Sequence, residues 1–96
     1  MIDLKQTFTN ESGKDLSDDK GAVTLGKVIQ TALLSPMEDD KNLSGQEKAD
    51  LFNLWFDKIK DAKEADLTSE DKVLIKERVG KAYAQIIVGQ VFKIIK

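Results

Sequence analysis

DLTSEDKVLIKERVGKAYAQIIVGQVFKIIK, Asp66 to Lys96, carries most of the strongly apolar residues outside the middle of the chain. Thr68 reads as a helix N-cap, because its hydroxyl can accept from a free N–H of the first turn. Asp71 occupies the capping-box position, and Leu67 stands just before the cap, where an apolar residue folds back onto the first turn. Ser69, Glu70 and Asp71 set polar and negative groups at the positive end of the helix dipole. Ile75, Val79, Ala82 and Ile86 line one helical stripe, with Tyr83, Ile87, Val91 and Ile94 beside it. Lys72, Lys76, Glu77 and Lys81 fall on the polar side. From Ile86 onward the polar side disappears, so more than one neighbour must bury this segment: the rest of the chain or a second copy. Gly80 and Gly89 each weaken a helix by about 1 kcal/mol relative to alanine. Either admits close approach of another backbone, or Gly89 marks a break. The β-branched run at Ile86, Ile87 and Val88 suits a strand, but the length and the preceding stripe favour a helix.

Working upstream, Ser44 and Glu47 form the clearest start signal in the chain, a capping box that opens a helix expected to reach about residue 63. Leu51, Leu54, Trp55, Ile59 and Ala62 form its core stripe, which Phe52 and Phe56 widen. So small a protein cannot bury all three large aromatics deeply without filling much of its core; the first reading is that all three are core, and the alternative is that one is an exposed anchor, since large aromatics dominate both cores and interface hot spots. Asp57, Lys60, Asp61 and Glu64 read as solvated helix surface. Before that helix, Thr24 caps an earlier one over residues 25–34, with Leu25, Val28, Ile29, Ala32 and Leu33 facing inward. Pro36 ends it, since the residue before proline avoids helical geometry. Glu38, Asp39 and Asp40 then form an acidic run, read as solvated surface or as an acidic docking patch.

At the start of the chain, Ile2, Leu4, Gln6 and Phe8 alternate with Asp3, Lys5 and Thr7, the pattern of a short half-buried strand. The residues from Asn10 to Lys14 are turn chemistry, and Leu16 alone supports a second strand and hence a hairpin. The second turn cluster, Ser17 to Gly21, lacks the regular oxygen spacing of a calcium loop and reads as a solvated turn.

The fold expected is therefore mainly α: a short N-terminal strand or β-hairpin within residues 1–23, then a three-helix domain over 24–96 whose last helix is long or broken, all in a single domain 1–96. Hydrophobic content of 41% is ordinary for a folded protein. With 15 basic and 17 acidic residues the net charge is −2, which argues against non-specific nucleic-acid binding. By segment, the chain is acidic before Asp66 and basic after it, so the two halves can attract each other. There is no cysteine and no histidine. That removes thiol chemistry, disulfides, the commonest transition-metal ligands and the commonest general base at neutral pH. No phosphate-binding glycine loop surrounds Gly26. The paired carboxylates sit in polar turns, where little raises a pKa toward a catalytic value. No enzyme, cofactor or metal is expected. The N-terminal residues do not read as a signal peptide, nor does any run read as a membrane span, and a cytoplasmic protein is the default. A helix-turn-helix would need Lys72, Lys76, Arg78 and Lys81 as a reading face, but Glu77 interrupts them.

Three blocks resemble small proteins encoded by bacteriophages and prophages: residues 24–34, residues 67–83 and residues 88–91. The likeness covers most of the chain in the same order. It implies a bacterial host setting and no activity, and it carries over no functional residue. It also favours the close-approach reading of Gly80 and Gly89. The function expected is a non-enzymatic protein-binding module, a phage accessory protein that binds or inhibits a host protein. Its surface would be Trp55 and Phe56 with Val91, Phe92 and Ile95 at the end of the last helix. The alternative is a phage structural or assembly protein that self-associates through that helix; a DNA-binding protein ranks below both.

Overall fold

The structure is a computed structural model that describes residues 1–19 and 21–96, without the side chain of Asp39. Lys20, in the second turn cluster, thus lies outside the described residues. Strand β1 (Ile2–Asp3) is followed by a hairpin of β2 (Ser17–Asp18) and β3 (Gly21–Ala22), then α1 (Leu25–Leu34) and a 3-10 turn (Glu38–Asn42). Helix α2 (Gly45–Leu54) runs on into a π-helical turn (Trp55–Ile59). Strand β4 (Glu64–Ala65), α3 (Ser69–Ala82) and α4 (Gln85–Ile94) complete the chain.

The expected mainly α fold with a short N-terminal strand is present. β1 pairs antiparallel with β4, Ile2 opposite Ala65 and Asp3 opposite Glu64. Further along, Phe8 donates to the Val23 carbonyl and accepts from the Leu16 N–H. The turn between them is closed by Gly13, whose N–H reaches the Asn10 carbonyl and whose φ of 78° favours glycine. The segment that follows β1 also serves α1. Its Leu4 and Gln6 carbonyls accept from the Gly26 and Leu25 N–H groups, two of the donors that a helix start leaves without partners. A Cβ at position 26 would sit 3.3 Å from the Leu4 carbonyl oxygen, so Gly26 is the glycine that permits a close approach.

Thr24, Ser44 and Thr68 cap α1, α2 and α3 as their sequence contexts predict, with both capping boxes formed. The core gathers around α1, which packs on α2, the π turn and α3, while α4 packs on α3. The inward residues predicted for α1 are all buried, with Leu4, Phe8, Ile75, Val79, Ile87, Val91 and Ile95 around them. All these residues belong to one cluster. The radius of gyration, 13.1 Å, suits one unit of this length.

Two boundaries differ from the sequence reading. α2 does not reach residue 63: the π turn closes it at Ile59, and Asp61 turns the chain away with φ of 56°, a conformation aspartate tolerates better than most residues. The closing segment is broken, but at Tyr83 and Ala84, both extended, rather than at Gly89. That break swings α4 so that Ile87, Val91 and Ile95 reach the core. Gly80 and Gly89 lie inside helices and exposed, and an added Cβ meets no atom within 4 Å at either. Neither therefore serves a close approach within the chain. Gly80→Ala and Gly89→Ala are each expected to stabilise the fold by about 1 kcal/mol in denaturant unfolding. A loss of stability at either position would mean that the glycine packs against something after all.

Candidate functional site

The capping box at Ser44 and Glu47 sets the start of α2 and so fixes which face points inward: Leu51 and Leu54 are buried. Phe52 and Phe56 fall just outside that stripe and remain 48% and 50% exposed. Their rings stack at 5.6 Å between centroids, 23° apart in plane. Trp55 joins them at 5.7 Å from Phe52 and 6.2 Å from Phe56. Trp55 is partly buried, and its indole N–H donates to Gln30 Oε1 at 2.9 Å, tying α2 to α1. The Lys60 ammonium lies 4.8 Å from the Phe56 centroid and 5.8 Å from that of Trp55. It thus covers the aromatic end, within cation–π range, instead of pairing with Asp57 or Glu64.

Phe52 also forms one wall of a groove of about 550 Å³ between the end of α1, the 3-10 turn and α2. Leu33, Leu34, Pro36, Met37, Leu43 and Leu51 make it apolar; Lys41 and Lys48 stand among its lining. Leu34 is 40% exposed here because Pro36 stops α1 before another turn can cover it. Its volume lies in the ordinary range for binding clefts, about 300–1,000 Å³.

Asp40 and Arg78 also line the groove, and here the acidic run has a role that the local pattern did not reveal. Arg78 is a buried charge. Its Nε donates to the Ala32 carbonyl at 2.9 Å and Nη2 to the Ser35 carbonyl at 3.2 Å. In a continuing helix Ala32 would accept from residue 36, but Pro36 has no N–H; Arg78 supplies the missing donor. Nη1 and Nη2 grip Asp40 Oδ1 and Oδ2 at 2.5 and 3.1 Å, while the Met37 N–H donates to Oδ2 at 2.9 Å. Asp40 is therefore an internal partner rather than part of an acidic docking patch. A second pair, Lys58 with Asp71, joins the π turn to α3. Of the two, Asp40 with Arg78 has the polarity expected between an acidic first part and a basic last part of the chain, while Lys58 with Asp71 runs the other way.

The hydrogen bond from Arg78, helped by the Met37 N–H, holds the Asp40 carboxyl below the ordinary carboxylate range. Burial pushes Asp71 up, but Lys58 and the Thr68 N–H outweigh it, so it too is lowered. A carboxylate with a lowered folded pKa contributes stability above its unfolded value, near 3.9, and loses it as pH falls through the folded pKa. With no histidine to titrate, stability should be nearly flat from about pH 5 to 8 and fall below about pH 4. Asp40→Asn is expected to flatten that acid limb, measured as urea midpoints against pH; an unchanged limb would remove Asp40 from the account.

Of the remaining residues proposed from sequence, Val91 and Ile95 are fully buried and present no surface. They point into the core because the break at Tyr83 and Ala84 folds α4 back. Phe92 is 46% exposed, with the Lys76 ammonium 5.4 Å from its ring centroid, and lies apart from the α2 cluster. Phe52, which the sequence pattern assigns to widening the core stripe, is the missing member of the site; its spacing of four from Phe56 is the signal that pairs them on one face. Among the described residues no three acidic side chains gather for a metal ion, and no helix is long and apolar enough to cross a membrane. No family model, curated protein or solved structure matches the chain.

Proposed function

We propose that the chain is a non-enzymatic protein-binding module that presents Phe52, Trp55 and Phe56, with the groove beside them, to a protein partner. The observation that carries this reading is the stacked pair Phe52 and Phe56, half-exposed and continuous with an apolar groove. Contiguous exposed apolar surface marks interaction sites, and aromatic anchors beside pockets dominate binding energy. The two displaced carboxylates, Asp40 and Asp71, are displaced downward by partners that hold elements together, which suits structural anchoring rather than proton transfer near neutral pH. In the bacteriophage setting that the sequence resemblance implies, the partner is a host protein and the module acts in the bacterial cytoplasm. The test is capture from bacterial lysate by the wild-type chain and by Phe52→Ala/Phe56→Ala. A protein held stoichiometrically by the first and released by the second supports the reading; equal capture by both contradicts it.

Exposed Phe92 favours a second reading, self-association through α4. Phe92→Asp is expected to stay folded, with a stability change below about 1 kcal/mol as for other surface positions. Light scattering then separates the readings: an oligomer dispersed by this substitution selects self-association, and an unchanged monomer removes it.

A further inference from the structure

We propose that the partner is acidic as well as apolar: an amphipathic protein segment whose carboxylates flank large apolar side chains. This rests on the binding reading given above. Lys48, Phe52, Phe56 and Lys60 follow one another at intervals of four, so a single stripe of α2 and its π turn runs cation, aromatic, aromatic, cation. From Lys48 to Leu54 the α-helical part of the stripe rises about 9 Å at 1.5 Å per residue, and the π turn carries it on to Lys60. Lys41 adds a further cation on the groove side.

The charges on this face are sorted. Lys58 and Arg78 are neutralised by Asp71 and Asp40, yet among the described residues no carboxylate forms a salt bridge with Lys41, Lys48 or Lys60. Of the acids of α2 and its π turn, Asp50 and Asp57 lie in a hollow shared with Glu70, Asp71 and Lys58, and Glu47 accepts from the Ser44 N–H in the capping box and lines a hollow with Asp50. A chain with net charge −2 thus keeps Lys41 and Lys48 in the lining of the groove and Lys60 over the aromatic end, none of them in a salt bridge among the described residues. Rim charges of one sign steer partners of the opposite sign and reject like-charged ones, with more effect on association rate and specificity than on contact energy. A helix laid in a groove is the recognition mode that such a floor and rim fit.

The test is selection of displayed random peptides on the full chain, counter-selected on Phe52→Ala/Phe56→Ala. Binders are then titrated by Trp55 fluorescence against wild type and Lys48→Glu/Lys60→Glu. The expected binders carry Asp or Glu beside Leu, Ile, Phe or Trp, weaken roughly tenfold or more against the charge-reversed chain, and weaken with added salt. Binders that need Phe52 and Phe56 but carry no net negative charge, or ignore the reversal, overturn the acidic partner and leave the binding reading standing. No binder that needs these aromatics overturns both. Self-association through Phe52 and Phe56, or binding of an anionic vesicle or DNA oligomer with no peptide, assigns the face to that occupant and overturns the proposal. The charge-reversed chain changes only exposed side chains, so it decides the charge question even if the double alanine chain fails to fold.

Discussion

Arg78→Met is expected to destabilise the folded chain by about 3 kcal/mol, although methionine replaces much of the aliphatic stem. The guanidinium serves three acceptors from different parts of the fold: the Ala32 and Ser35 carbonyls at the end of α1 and the Asp40 carboxylate in the 3-10 turn. Hydrogen bonds to a charged group are worth about 1.5–3 kcal/mol each, and removing one partner of a buried pair costs about 3–5 kcal/mol. The loss falls toward the lower end of that range because the Asp40 side chain retains 18% exposure and can turn to water. The Ala32 carbonyl has no such recourse, since Pro36 offers no N–H. Arg78→Lys should recover less than half of the loss, because an ammonium cannot reproduce the planar fork that meets Asp40 at two oxygens. Guanidinium unfolding of the three chains checks this. A change below about 1 kcal/mol in the methionine chain would mean that α1 and the 3-10 turn are held by packing alone.

The second large effect is on binding, with little on stability. Phe52→Ala and Phe56→Ala should each weaken partner binding about 30-fold or more, equivalent to about 2 kcal/mol, the level that defines a hot spot. Together they should lower stability by less than about 1.5 kcal/mol. A fully buried phenylalanine costs about 3–5 kcal/mol on truncation, but these two rings are already half in water, and part of what they touch is each other. Loss of binding without loss of fold is the signature of an interaction surface. Loss of both would return Phe52 and Phe56 to the core.

Much of this fold is legible in the residues. Thr24, Ser44 and Thr68 cap helices because a hydroxyl beside the first turn meets a local need, and local needs are written locally. The same holds for Leu4 and Phe8, whose alternation places them inward. The rest depends on contacts between distant residues. Asp40 and Arg78 are 38 residues apart, and nothing in the run Glu38, Asp39 and Asp40 singles out the third acid. Arg78 offered one clue, its position three residues after Ile75 and next to Val79 on the inward stripe. The π turn and the break at Tyr83 carry no proline or glycine signal at the residues concerned, and the break is where α4 turns so that Ile87 and Val91 reach the core. The aromatic surface was half visible. Trp55 and Phe56 were singled out, but the groove that Phe52 shares needs α1, the 3-10 turn and α2 brought together.

The most direct measurement is amide chemical-shift mapping of the full chain titrated with the captured partner. The account predicts that the largest shifts fall on Phe52, Trp55, Phe56 and Lys60 and on the groove residues Leu34, Lys41 and Lys48, with α4 unmoved. Shifts centred on Phe92 and the exposed face of α4, with the α2 stripe silent, would contradict it.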